Sequence, residues 1–93
     1  LVTATYDRIA DVQPRQRLAV CGEVTRMVYR RSDVVPSLAV GVNDGSGTIT
    51  AVFMGRRSLG GVAMGRRIVV EGVAIPAGDH LEVLNPLYTL LPR

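Results

Sequence analysis

The sequence has 93 residues, 47% of them hydrophobic, and a formal net charge of +3 from 11 basic and 8 acidic side chains. That length excludes two domains, and that hydrophobic content excludes an intrinsically disordered chain. A single cysteine (Cys21) and a single histidine (His80) exclude an intrachain disulfide and a structural zinc site, and no apolar run approaches the ~20 residues that a helix needs to cross a bilayer.

In chain order, residues 1–16 read as a lead-in with packable Ile9, Ala10 and Val12. Pro14 prevents a long helix there, leaving a short helical turn or, as the favoured reading, an edge extension. Residues 17–29 read as a first strand with Leu18, Val20, Gly22 and Val24 on one face. Cys21 in that strand reads as a small buried hydrophobe. Residues 30–35 form a basic loop closed by Pro36. Residues 37–43 form a second strand with Leu38, Val40 and Val42 inward and small Ser37, Ala39 and Gly41 outward. The run Asn43-Asp44-Gly45-Ser46-Gly47 is a turn signal, since Asn, Asp and Gly tolerate positive φ. It leads to a third strand, residues 48–54, with Ile49, Ala51 and Phe53 inward. The glycine-rich connection 55–65 is unsuited to a long helix. A fourth strand over 67–75, a turn at Pro76-Ala77-Gly78-Asp79 and a fifth strand over 80–85 follow, and Pro86 breaks the chain before residues 88–91. The expected core is Leu18, Val20, Val40, Val42, Ile49, Phe53, Val70 and Leu84. Arg17–Gly22 and Arg67–Gly72 echo each other, each an apolar run with glycine at the same offset, as a small, strongly coiled barrel requires.

Five strands with a break between the third and fourth predict an all-β domain over 17–93, a five-stranded antiparallel Greek-key barrel of the OB-fold type. An SH3-like barrel is the alternative, although it usually has shorter strands and more aromatics. The ordered set Ile9-Ala10-Asp11-Val12-Gln13-Pro14, Val20-Cys21-Gly22-Glu23-Val24, Asp44 to Phe53, Gly65 to Gly72 and Asn85-Pro86-Leu87-Tyr88 resembles the OB-fold wedge domain of the RecG branch-migration helicase. It also resembles small stand-alone bacterial OB-fold nucleic-acid-binding proteins. The resemblance implies contact with single-stranded or branched DNA. No P-loop is present, so unwinding is not implied, and Met54 and Gly55 stand where the wedge tends to carry stacking aromatics.

All the basic residues are Arg, whose planar donor fork matches phosphate and stacks on bases. Arg26, Arg30 and Arg31, at the end of the first strand and into its loop, and Arg56 and Arg57, after the third, are the candidate phosphate contacts. Tyr29 is the candidate stacking residue, with a place at the barrel end as its structural alternative. Thr50 and Val52, with Ala39 and Gly41, would give the groove a smooth floor, and His80 borders it from the fourth turn. Ser32, Ser37, Ser46 and Ser58 lack a nucleophile motif and Asp44 lacks a carboxylate partner, so no catalysis, cofactor or metal is expected. The expected partner is nucleic acid, DNA before RNA. The second reading is a protein-interaction or homo-oligomerisation OB module without nucleic-acid ligand, resting on exposed Val52 and Met54. With one cysteine and neither signal-peptide pattern nor membrane span, the expected location is cytoplasmic. Because the chain begins at Leu1 rather than Met, it is expected to be trimmed or cut from a longer protein.

Overall fold

Period-2 alternation of Val, Leu and Ile with small or polar residues dictates strands, and strands account for nearly all the regular structure. The computed structural model describes residues 5–92; residues 1–4 of the expected lead-in and residue 93 lie outside it. A 3-10 helix, Ile9–Asp11, precedes β1 (Arg17–Arg30), β2 (Ser37–Asn43), β3 (Thr48–Met54), β4 (Arg67–Ala77), β5 (His80–Leu84) and β6 (Leu87–Leu90). The strands follow one another as β1-β2-β3-β5-β4, and β4 pairs back onto β1, so five of them close a ring. β6 lies on β4, with Val70 opposite Tyr88. Two expectations are corrected here. A sixth strand resumes directly after Pro86, because proline interrupts pairing at its own position only. The ring is also not wholly antiparallel: β3 and β5 run parallel, with Ala51 opposite Val83.

β1 changes partners along its length. Residues Arg17 to Glu23 face β4 and residues from Glu23 onward face β2, with a bulge between Val24 and Arg26. Gly22 stands at that changeover, where a Cβ would lie 2.5 Å from the Asn43 carbonyl oxygen. Gly72 stands at the matching point of β4, between the stretch paired to β6 and the stretch paired to β5, and a Cβ there would meet a Val83 methyl at 2.5 Å. Both glycines permit the close approach that a tightly closed ring imposes.

The core gathers Leu18, Val20, Val24, Leu38, Val40, Val42, Ile49, Ala51, Phe53, Ile68, Val70, Ala74 and Val83. Leu84 is not part of it. Val83, not Leu84, takes the inward position of β5, and Leu84 is 48% exposed. Tyr88 packs edge-on against Phe53, ring centroids 5.5 Å apart.

The lead-in forms the 3-10 helix rather than an edge extension, and it buries Ile9 and Val12 in the core. Its anchor is the β2–β3 turn. Asp44 Oδ2 accepts the Ile9 N–H at 2.9 Å, and Ser46 Oγ accepts the Ala10 N–H at 3.0 Å. Asp44 Oδ1 accepts the Ser46 and Gly47 N–H groups and the Ser46 hydroxyl. Burial pushes the Asp44 carboxyl up, but these hydrogen bonds, that from Ile9 foremost, outweigh it and bring the pKa down to about 2.

Candidate nucleic-acid interface

The outer face of β1, β2, β3 and β5 carries three rows of side chains fixed by register. Arg26, Gly41, Thr50 and Glu82 form one row; Val28, Ala39, Val52 and Leu84 the next; Arg30, Ser37 and Met54 the third. A depression of about 350 Å³ opens on this face, lined by Arg26, Val28, Arg30, Ala39, Gly41, Thr50 and His80. The bulge after Val24 is what turns Arg26, Val28 and Arg30 outward together while Met27 packs on the core.

Glu82 lies beneath two of those lining residues. Its side chain is 10% exposed. Its Oε2 accepts from Arg30 Nη2 at 3.2 Å and from His80 Nε2 at 3.0 Å, while His80 Nδ1 lies 3.3 Å from Asp79 Oδ1. Arg30 belongs to β1 and Glu82 to β5, so the guanidinium crosses β2 and β3. On a flat sheet that is about 14 Å of strand spacing, with two rows of register besides; the contact therefore requires a strongly coiled sheet. Carboxylates only accept hydrogen bonds, so both His80 ring nitrogens are satisfied only in the imidazolium. The hydrogen bond to Glu82, and then that to Asp79, accordingly raises the His80 pKa. Burial pushes Glu82 up, and hydrogen bonds from His80 and Arg30 outweigh it, holding the carboxyl below its ordinary value.

Of the residues expected from sequence, the fold brings Arg26, Arg30, Thr50 and His80 to the depression. Val52 is on the expected face but buried, as are Ser37, Ala39 and Gly41, so it offers no exposed floor and no exposed apolar patch. Tyr29 pairs with Leu38, whose neighbour is Phe53, and so has the inward parity of β1 at the end of the ring. The Arg57 guanidinium sits 5.6 Å from the centre of its ring, a cation–π contact. Arg31, Arg56 and Arg57 are exposed at that same end, where the Gly55 N–H donates to Pro36 O at 2.7 Å and ties the two loops together; they do not line the depression. Cys21 is half-buried on the outer face with Arg67 Nη2 3.7 Å from its sulfur, not buried in the core. Glu82 was missed. The signal was available: His80 and Glu82, two apart on one strand, must share a face.

Among the described residues no group of three His, Cys, Asp or Glu side chains is placed to hold a metal ion, and no helix is long and apolar enough to cross a membrane. Fold and site together define a small all-β domain, a closed ring of strands with a shallow, arginine-edged depression on one face. No protein-family model matches the chain, and no curated protein matches it.

Proposed function

We propose that the chain is a non-catalytic OB-fold module that binds nucleic acid across the outer face of β1, β2, β3 and β5. Single-stranded or branched DNA is favoured over RNA through the resemblance to the RecG wedge. The observation that carries the reading is the placement of Arg26, Arg30 and His80 around a depression that Ala39, Gly41 and Thr50 of β2 and β3 also line. OB-folds bind oligonucleotides on this face, between the loop after the first strand and the turn before the fifth; here those are residues 31–36 and 78–79. The ring order is consistent with that fold. Small side chains let a sugar-phosphate chain approach closely, and arginine neutralises phosphate.

With about three phosphates engaged, log affinity should fall against log salt with a slope near −2, each contact on a single strand contributing about 0.7. Titrating labelled single-stranded DNA and RNA at several salt concentrations measures this. Replacing Arg26 and Arg30 together by Ala should flatten the slope by about 1.4. A folded double variant that keeps the parent's affinity and slope overturns the reading.

The second reading, a protein-interaction or self-association module, rests on the exposure of Met54, Leu84 and Leu87. The Met54 N–H donates to Asn85 Oδ1 at 2.8 Å, which sets it alongside the segment carrying the two leucines. Sedimentation over a wide concentration range tests it: a monomer throughout counts against self-association.

A further inference from the structure

A carboxylate in the middle of a phosphate-binding face works against the phosphate. Glu82 is directly opposite Thr50 on the neighbouring strand, under Arg30 and His80. Both cationic side chains are bound to the same oxygen, Oε2. Oε1 accepts no hydrogen bond among the described residues, and it is not among the buried side-chain atoms left without a partner, so it reaches solvent. An ionised carboxylate oxygen can only accept. A phosphate brought to this point meets like charge, whereas a donor group meets an acceptor already fixed in place by two cations.

We propose, building on the nucleic-acid reading above, that Glu82 selects among bases: its free Oε1 accepts a hydrogen bond from the exocyclic amino group of an unpaired base, so that cytosine, adenine and guanine are preferred over uracil and thymine. The phosphates then keep to Arg26 and the outer side of Arg30, and the base edge turns down towards β5. Cytosine places an amino donor where uracil places a carbonyl acceptor, and a carboxylate accepts from cytosine's amino group in direct readout of duplex DNA by the same logic. Uracil's one imino donor lies between two carbonyl oxygens, which the carboxylate repels. Thr50, half-buried beside Glu82, carries a hydroxyl that both donates and accepts and so does not discriminate.

The test compares oligodeoxycytidine with oligodeoxyuridine of equal length by fluorescence anisotropy at neutral pH. A third strand carries N4,N4-dimethylcytosine, which lacks the donor. The parent protein should bind oligodeoxycytidine about tenfold more tightly than oligodeoxyuridine, the scale of one hydrogen bond to a charged group, and the dimethylated strand as weakly as oligodeoxyuridine. In Glu82→Gln, whose amide also donates, the preference should shrink to about twofold or less. Arg26→Ala should weaken both strands alike. If Glu82→Gln does not fold, as judged by its circular dichroism melt, the three strands on the parent protein decide the matter. Equal binding of all three overturns the selection by Glu82 and leaves the nucleic-acid reading standing; failure to bind any strand overturns both.

Discussion

Asp44 joins two segments that the sequence keeps 35 residues apart, holding the Ile9 N–H while it shapes its own turn. Asp44→Ala should cost about 1–3 kcal/mol, the range for a lost hydrogen bond to a charged acceptor, read as a lower urea midpoint. The pH dependence has a definite sign. The folded-state pKa lies below the unfolded value, so the carboxylate's contribution is fully present above pH ~5 and is lost as pH falls towards 2. Asp44→Asn should flatten that acid limb in melts taken between those limits. A second contrast lies on β5. Val83→Ala should cost about 2 kcal/mol, and Leu84→Ala should stay within about 0.5; equal losses would refute the inward place of Val83. Alternation alone was ambiguous there, because Val83 and Leu84 are adjacent and apolar and only one can face in. The neighbours decide it: Ala51 and Ala74 flank Val83, and their small side chains leave it the room.

β1 passes from β4 to β2 along its length, and β4, while paired to β1, passes from β6 to β5; the glycines stand where the partner changes. Gly22→Ala sets a methyl against backbone of β2, which cannot yield without shifting the strand; Gly72→Ala sets one against a valine side chain. Both should destabilise by about 1–3 kcal/mol, Gly22→Ala the more, in denaturant titrations of the two variants. The matched glycines were legible in the sequence, and so were β2, β3 and the turn between them, where local alternation and turn chemistry act over a few residues. The parallel pairing of β3 with β5 was not. Strand direction between elements so far apart is set by closure of the ring, and no local pattern encodes it. The site divides along the same line. Arg26 and Thr50 were found from their strand positions, and Arg30 and His80 from the loop and turn that border the groove, whereas the contact of Arg30 with Glu82 joins residues 52 apart and depends on the coiling of the whole sheet. The inward parity of Tyr29 depends on the bulge after Val24, which a regular alternation does not reveal.

Across the whole molecule, the lead-in closes one side of the core. Removing residues 1–16 takes Ile9 and Val12 out of it and leaves Asp44 without its Ile9 donor, a loss of roughly 3 kcal/mol or more. For a domain this small that is a large share of total stability, and the truncated chain should melt well below the parent or fail to show a cooperative transition. The closed ring bears also on the order in which the protein can form. Val73 sits opposite Arg17, and β3 obtains its second neighbour only from β5. Closing the ring must therefore bring distant parts of the chain together, and β proteins that depend on such non-local pairing refold in milliseconds to seconds rather than microseconds. On the ribosome, a nascent chain that has reached β3 but not β5 presents the Thr50–Val52 edge unpaired, with Val52, which is buried in the finished ring, open to any passing strand. The interval of greatest aggregation hazard runs from the emergence of β3 to the docking of β5, and any delay between those two events lengthens the exposure.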